Sequence, residues 1–368
     1  MLRVRTLYAA SAGVTAAYYT QYLTESPDDV PGVWTGKQAT ALGLTGTVST
    51  EGLEAVLSGR DPITGSPLGN PLKDRTLADG RVVRAVAGFD ATFSAPKSLS
   101  VLAALTRDPR YAEAHDVAVA AVAEYIERFG ATTRIRSNGA RLHVDTGGLT
   151  MAAFRQATSR LDDPQLHTHV VISAKVRTAE GRWLALDARF LKQHQRALGG
   201  LYQSVLRAEV ADTLGLRFGP VVNGQAEIAG VPEALLEVFS KRAAQIDTAM
   251  AAKVAEFYAR EGRDPSRFER AAIERETAAD TRGRKTGVDH ETLHARWLGE
   301  AAGLDITPDG QALKVTTPLD ARNFSFRYTA GNGYHDDDAT VELTQVSPDI
   351  SMTKTPKPTT VVAPGGMV

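Results

Sequence analysis

Two histidines one residue apart, His167 and His169, open a run of Val170-Val171-Ile172 just after the turn residues Asp162-Asp163-Pro164. On a strand, residues two apart point to the same face, so the two imidazoles stand side by side. Neutral imidazoles fit a divalent metal. A bare pair of this kind is also common on exposed strands, and the spacing alone leaves both readings open. The preceding segment, Phe154 to Arg160, reads as the partner strand of a hairpin. Pairing around 162–163 puts Gln156 opposite His169, where a third ligand would sit. An amide oxygen is a weaker and harder donor than imidazole.

A second group is tyrosine. Tyr18, Tyr19 and Tyr22 fall in a segment expected to be helical from 12 to 23, with Ser11 as its N-cap. Tyr18 and Tyr22 share a face there, and Tyr19 lies close to Tyr22. Packing explains such a cluster. So does nucleophilic chemistry, since a phenol with an ordinary pKa of about 10 attacks once a metal or base assists it. Asp90, in Gly88-Phe89-Asp90-Ala91-Thr92-Phe93, lies on the polar side of an alternating strand. It is a candidate general base or orienter of a ligating histidine. Ser94 and Lys97 follow at an expected helix start, where phosphate can bind or a first turn can simply be solvated.

The elements that must place these residues are interleaved. The first 60 residues mix helix and turn signals, with short helices at 39–44 and 50–57. Residues 60–80 form a long Gly/Pro/Asp loop. Residues 81–93 alternate as a strand, and 110–129 form a helix. Three strand-like runs fill 132–177, helix returns over 187–214, and a hairpin turns at Asn223-Gly224. From 232 to 299 the chain is helical and highly charged. Five prolines and nine threonines mark 314–368.

Length and composition bound the rest. The 368 residues carry 42 Lys+Arg against 43 Asp+Glu, eight histidines and no cysteine. Disulfide scaffolds, thiolate metal sites and cysteine nucleophiles are excluded. The neutral balance gives no pointer to nucleic acid. The N-terminal apolar stretch is too interrupted for a signal peptide, no segment reads as membrane-spanning, and a cytoplasmic protein is expected.

Taken in order, the motifs resemble those of the MobF-type (TrwC-like) conjugative relaxases of the HUH endonuclease superfamily. The carriers are Tyr18-Tyr19, Trp34-Thr35-Gly36-Lys37, the stretch from Phe93 to Ser98, Thr158-Ser159-Arg160, the two histidines, Phe239-Ser240-Lys241-Arg242 with Gln245-Ile246, and Arg284-Lys285-Thr286. The resemblance runs from residue 1 to about 305. It implies an α/β (α+β) two-layer palm. A five-stranded antiparallel sheet would carry the histidines, with helices on its other face and helical fingers beyond. The expected division is a palm at 1–232, fingers at 233–305 and a linker or disordered tail at 306–368.

The implied activity is site- and strand-specific nicking of single-stranded DNA at a plasmid transfer origin. A tyrosine attacks the scissile phosphodiester, leaves a 5′-phosphotyrosyl link, and the strand is later rejoined. Tyr18 matches the family's first nucleophile, Tyr19 is its neighbour, and Tyr22 is a candidate for the second transfer. His167, His169 and Gln156 would hold Mg²⁺ or Mn²⁺. Asp90 would fix a histidine tautomer or take the tyrosine proton. Lys97, Ser94 and Arg160 are candidate DNA contacts. Expected partners are the single-stranded DNA and hairpin of the origin, accessory relaxosome proteins and a type IV secretion coupling protein. The family usually has histidine where Gln156 stands, so the alternative is a degenerate origin-binding protein that nicks little. Rolling-circle initiators place the tyrosine after the histidine strand; its N-terminal place here favours a relaxase. No G-x-x-x-x-G-K-[ST] motif occurs, so ATP use is not expected.

Overall fold

The computed structural model describes residues 1–21, 30–281, 288–304, 306–309, 312–315, 324–331, 336–346 and 349–356. The chain divides into two compact units, Met1–Leu304 with Pro308–Leu313, and Asp305–Thr307 with Lys314–Val368.

The first unit starts with β1 (Leu2–Tyr8), α1 (Ala12–Gln21), β2 (Val33–Thr35), α2 (Lys37–Ala41) and α3 (Thr50–Leu57). The short strands β3 (Arg75–Thr76) and β4 (Val82–Val83) pair within the long loop, ahead of β5 (Val86–Ser94). Then come α4 (Lys97–Thr106), α5 (Pro109–Gly130), β6 (Thr132–Ser137), β7 (Ala140–Asp145), β8 (Met151–Thr158) and β9 (Pro164–Ser173). Next are β10 (Lys175–Arg177), β11 (Trp183–Ala185), α6 (Arg189–Gln193), α7 (Gln195–Leu214), α8 (Glu233–Val238), α9 (Lys241–Glu261), α10 (Arg267–Asp280) and α11 (His290–Ala302).

Five strands form the central sheet in the order β1-β5-β9-β8-β2, every neighbouring pair antiparallel. This is the expected α/β architecture. Alternation along β5 divides the molecule. Phe89, Ala91 and Phe93 join Val170, Ile172 and Met151 in the larger core, closed by Leu99, Tyr111, Val122, Ile126, Tyr202 and Leu206 of α4, α5 and α7. Each large side chain buried there contributes about 1.5–3 kcal/mol. The histidine-bearing face is not left bare. Tyr19, Leu53 and Leu57 from α1 and α3 pack there on Ala152, Phe154 and Val171.

Several elements differ from the sequence reading. Leu2–Tyr8, read as mixed helix and turn signals, is the edge strand of the sheet. Leu2 and Val4 turn to the core, which leaves Arg3 and Arg5 on the histidine face. Ser11 does not cap α1: its hydroxyl donates to Tyr8 O, and a 3₁₀ turn at Ala9–Ser11 runs straight into the helix. The run 140–158 splits at Gly147-Gly148, where Gly148 has φ +115, so β7 pairs with β6 and only β8 enters the main sheet. Ser49 caps α3, accepting from Gly52 N at 3.0 Å. Asn223 and Gly224 take positive φ at the expected hairpin turn.

The helices beyond 232 grip the turn before the histidine strand. Trp297 Nε1 on α11 donates to Asp162 O at 2.8 Å, and Lys241 at the start of α9 faces buried Asp163 at 3.5 Å. Residues 306–368, expected as linker or tail, contain β12 (Ile306–Asp309), β13 (Ala312–Val315), β14 (Phe324–Gly331), β15 (Asp336–Val346) and β16 (Asp349–Pro356). The last three pair antiparallel in that order. After its acidic start, β15 alternates apolar Ala339, Val341 and Leu343 with polar Thr340, Glu342 and Thr344, a pattern suited to a strand.

Candidate active site

Three strands bring the predicted residues into cross-strand rows. One row runs Arg5, Asp90, Val171, Ala152; the next Arg3, Thr92, His169, Phe154; the next joins Ser94, His167 and Gln156. Directly opposed residues share a face, so Asp90, Thr92, Ser94, His167, His169, Phe154 and Gln156 all belong to one surface of the sheet. The expected opposition of Gln156 and His169 is corrected: Gln156 pairs with His167, and Phe154 with His169. A register irregularity between Gln156 and Thr158, together with left-handed Asp162, moves the centre of the turn. The slip is even in residues, so no side chain changes face.

Asp90 is buried, and its carboxylate is fully engaged. Tyr19 Oη donates to Oδ2 at 2.7 Å and Thr92 Oγ1 to Oδ1 at 3.1 Å. His169 Nδ1 lies 2.9 and 3.0 Å from the two oxygens. Burial acts to raise the Asp90 carboxyl, but the hydrogen bond and charge of His169, with the bonds from Tyr19 and Thr92, outweigh it and hold it below the ordinary carboxylate value. Such a group is a weak base. Of its two expected roles, the geometry supports orienting His169 rather than removing a tyrosine proton.

Tyr18 and Tyr19 are neighbours in sequence with opposite surroundings. Tyr19 is only 3% exposed, lies against Phe154 at 5.2 Å between ring centroids and meets His169 edge-on at 5.4 Å. Burial first, then the Asp90 charge and hydrogen bond, push its phenol far above the ordinary tyrosine value. In this arrangement Tyr19, expected as a catalytic residue, is a buried hydrogen-bond donor to Asp90. Tyr18 is half-buried and accepts a hydrogen bond from Arg160 Nη2 at 2.8 Å, with the guanidinium 5.7 Å from the ring centre. Arg160, expected as a phosphate contact, thus already holds the phenol oxygen of Tyr18. Tyr22 and Arg284-Lys285-Thr286 lie outside the described residues.

The residues fit a divalent metal in the chemistry of two donors. His167 Nδ1 lies 2.8 Å from Gln165 O, and a carbonyl only accepts, so Nδ1 carries the proton. His169 Nδ1 is held likewise by the Asp90 carboxylate. In the neutral form of each ring, Nε2 then keeps the lone pair. The rings lie 5.2 Å apart, and burial, assisted by His169, pushes His167 down to about 4, which keeps it neutral at physiological pH. Among the described residues no three His, Cys, Asp or Glu side chains converge as a metal group; the side chain paired beside His167 on the same face is the amide of buried Gln156.

The cradle expected at the start of α4 is filled from within the chain. Glu227 accepts from Lys97 N at 3.3 Å and Ser98 N at 2.7 Å, while Lys97 Nζ donates to Pro164 O at 2.9 Å. Lys97, expected as a phosphate contact, here braces the start of β9. Ser94 stays on the histidine face, opposite His167. Thr92 and Phe154 are site residues that the sequence reading did not select. Both were findable by counting two residues from Asp90 and Gln156.

Comparison with known proteins agrees with this geometry. The model of the TrwC relaxase family matches residues 4–304. The chain belongs to the TrwC relaxase family. It is 35% identical over 312 residues to the multifunctional conjugation protein TraI of Escherichia coli, covering 80% of this chain and 16% of that protein. The chain thus spans about one sixth of the length of this relative. Among solved structures, it is similar to the conjugative relaxase TrwC in a metal-bound complex with oriT DNA, with a TM-score of 0.67, 33% identity, and coverage of 83% of this chain and 98% of that one. TrwC complexed with a 27-mer comprising the recognition hairpin and cleavage site gives a TM-score of 0.66 at 32% identity, covering 82% and 98%. Within this family fold, the two-histidine strand, the tyrosine helix and Asp90 come together, with Gln156 paired beside His167. No helix among the described residues is long and apolar enough to cross a membrane.

Proposed function

We propose that this chain is a conjugative DNA relaxase that nicks and rejoins one strand at a plasmid transfer origin through Tyr18. The observation that carries the reading is the meeting of Arg160, held on Tyr18 Oη, with two Nε2 lone pairs presented by one strand. His167, His169 and the Gln156 amide would hold a divalent cation, Mg²⁺ or Mn²⁺, which supplies charge neutralisation at a non-bridging phosphate oxygen.

The chain's own residues do the rest. Tyr18 Oη forms a bond to phosphorus, the bond to the 3′ oxygen breaks, and that oxygen leaves as a hydroxyl after taking a proton. The phenolic proton passes to solvent, because Asp90 is occupied by Tyr19, Thr92 and His169. Arg160 holds the attacking oxygen and meets the phosphate charge as it approaches. Attack by the freed 3′ hydroxyl on the phosphotyrosyl link reverses the step and rejoins the strand. Recognition hairpin DNA, accessory relaxosome proteins and a secretion coupling protein are the partners of this reading, and the cytoplasm its place.

The test is a covalent adduct. Single-stranded oligonucleotides tiled across the transfer region, incubated with the protein and Mg²⁺ or Mn²⁺, are expected to give a denaturant-stable protein–DNA band that Tyr18→Phe lacks. An adduct surviving in Tyr18→Phe removes the nucleophile assignment. No adduct with any tile favours a binding protein.

A further inference from the structure

The edge strand carries two arginines that the proposed chemistry leaves unused. Alternation in Leu2-Arg3-Val4-Arg5 sends Leu2 and Val4 into the core and Arg3 and Arg5 to the histidine face. Arg3 continues the row of Thr92 and His169, and Arg5 the row of Asp90. Each lies two strands from β9, about 10 Å at ordinary strand spacing. Both are exposed, and neither guanidinium makes a hydrogen bond or ion pair among the described residues. Elsewhere in this unit arginines are commonly paired: Arg107 with Glu291, Arg110 with Asp108, Arg155 with Asp116, Arg189 with Asp187. Arg5 lies close enough to the centre for its charge to act on the Tyr19 phenol.

We propose that Arg3 and Arg5 form a phosphate-binding track on which the single-stranded DNA next to the scissile phosphate lies as it crosses the edge of the sheet. The proposal rests on the relaxase reading above and names protein contacts for its substrate. Phosphodiester chains place an anion at every nucleotide, so a strand anchored at the histidines carries further phosphates outward over the sheet. Unpaired guanidiniums set in the same cross-strand rows are complementary to them. Charges on an edge strand also discourage sheet-to-sheet association, but that role gives no dependence of DNA affinity on salt.

The experiment is fluorescence anisotropy with a labelled oligothymidylate of about 20 nucleotides over a salt series. Each phosphate contact contributes about 0.7 to the slope of log affinity against log salt on single strands. Arg3→Ala with Arg5→Ala is expected to flatten the slope by about 1.4 and weaken binding, while Arg3→Lys with Arg5→Lys keeps it. Arg136→Ala with Arg141→Ala, on the separate β6–β7 ribbon, removes the same charge and is expected to leave the slope unchanged. An unchanged slope in the first pair, or equal flattening in the control pair, overturns the track while the relaxase reading stands. Failure of the parent protein to bind the oligonucleotide also overturns the track, while the relaxase reading is decided by the covalent adduct with transfer-region tiles. Melting followed by circular dichroism verifies that each variant is folded.

Discussion

Tyr19 Oη donates a 2.7 Å hydrogen bond to Asp90 Oδ2, and the same carboxylate holds His169 Nδ1. One buried phenol therefore sets the orientation of the carboxylate that sets the orientation of the His169 imidazole. Its sequence neighbour Tyr18 has its phenol oxygen on Arg160 instead.

Substitution should separate these two tyrosines. Tyr19→Phe removes a buried hydrogen bond to a charged group and is expected to lower stability by about 1.5–3 kcal/mol, measured by denaturant unfolding. It is expected to weaken Mn²⁺ binding as His169 loosens, and still to form the covalent DNA adduct. Tyr18→Phe is expected to melt near the parent temperature and form none. Loss of the adduct in Tyr19→Phe at saturating Mn²⁺ contradicts the division of roles.

Gln156 should set metal preference. Replacing its amide by imidazole in Gln156→His raises the nitrogen content of the site, which favours Zn²⁺ and Cu²⁺ over Mg²⁺ and Mn²⁺. Titration calorimetry is expected to show tighter Zn²⁺ binding, by about tenfold or more, with a smaller gain for Mn²⁺. Equal affinities in the two proteins remove Gln156 from the ligand set.

Acid should destabilise the fold through buried histidine. His115, wholly buried, bonds Tyr202 Oη at 2.6 Å and Thr168 Oγ1 at 2.8 Å, and burial pushes it down to about 3. The unfolded chain takes up this proton below about pH 6.5, whereas the folded protein does so only near 3. More protons are bound by the unfolded state in that window, so stability rises with pH across it and is lost as pH falls, by up to about 1.4 kcal/mol per pH unit for the one group. Unfolding free energies measured at pH 5 and 7 are expected to differ accordingly, with a smaller difference in His115→Gln.

Local pattern was enough for much of this protein. Period-two alternation placed Asp90 on a polar strand face and paired His167 with His169, because side-chain direction on a strand depends only on parity. Ordered motifs carried the family, and turn chemistry predicted the Asn223-Gly224 hairpin. What depends on distant chain could not be read this way. That Leu2–Tyr8 is a strand follows from its pairing with β5, some 80 residues away. That Tyr19 donates to Asp90 while Tyr18 accepts from Arg160 follows from which side of α1 each ring occupies. That Lys97 braces the start of β9 follows from its amine reaching Pro164 O, 67 residues on. Residue type and spacing fix which groups are available for chemistry. Burial and partners fix their protonation and direction, and those exist only once the sheet has closed.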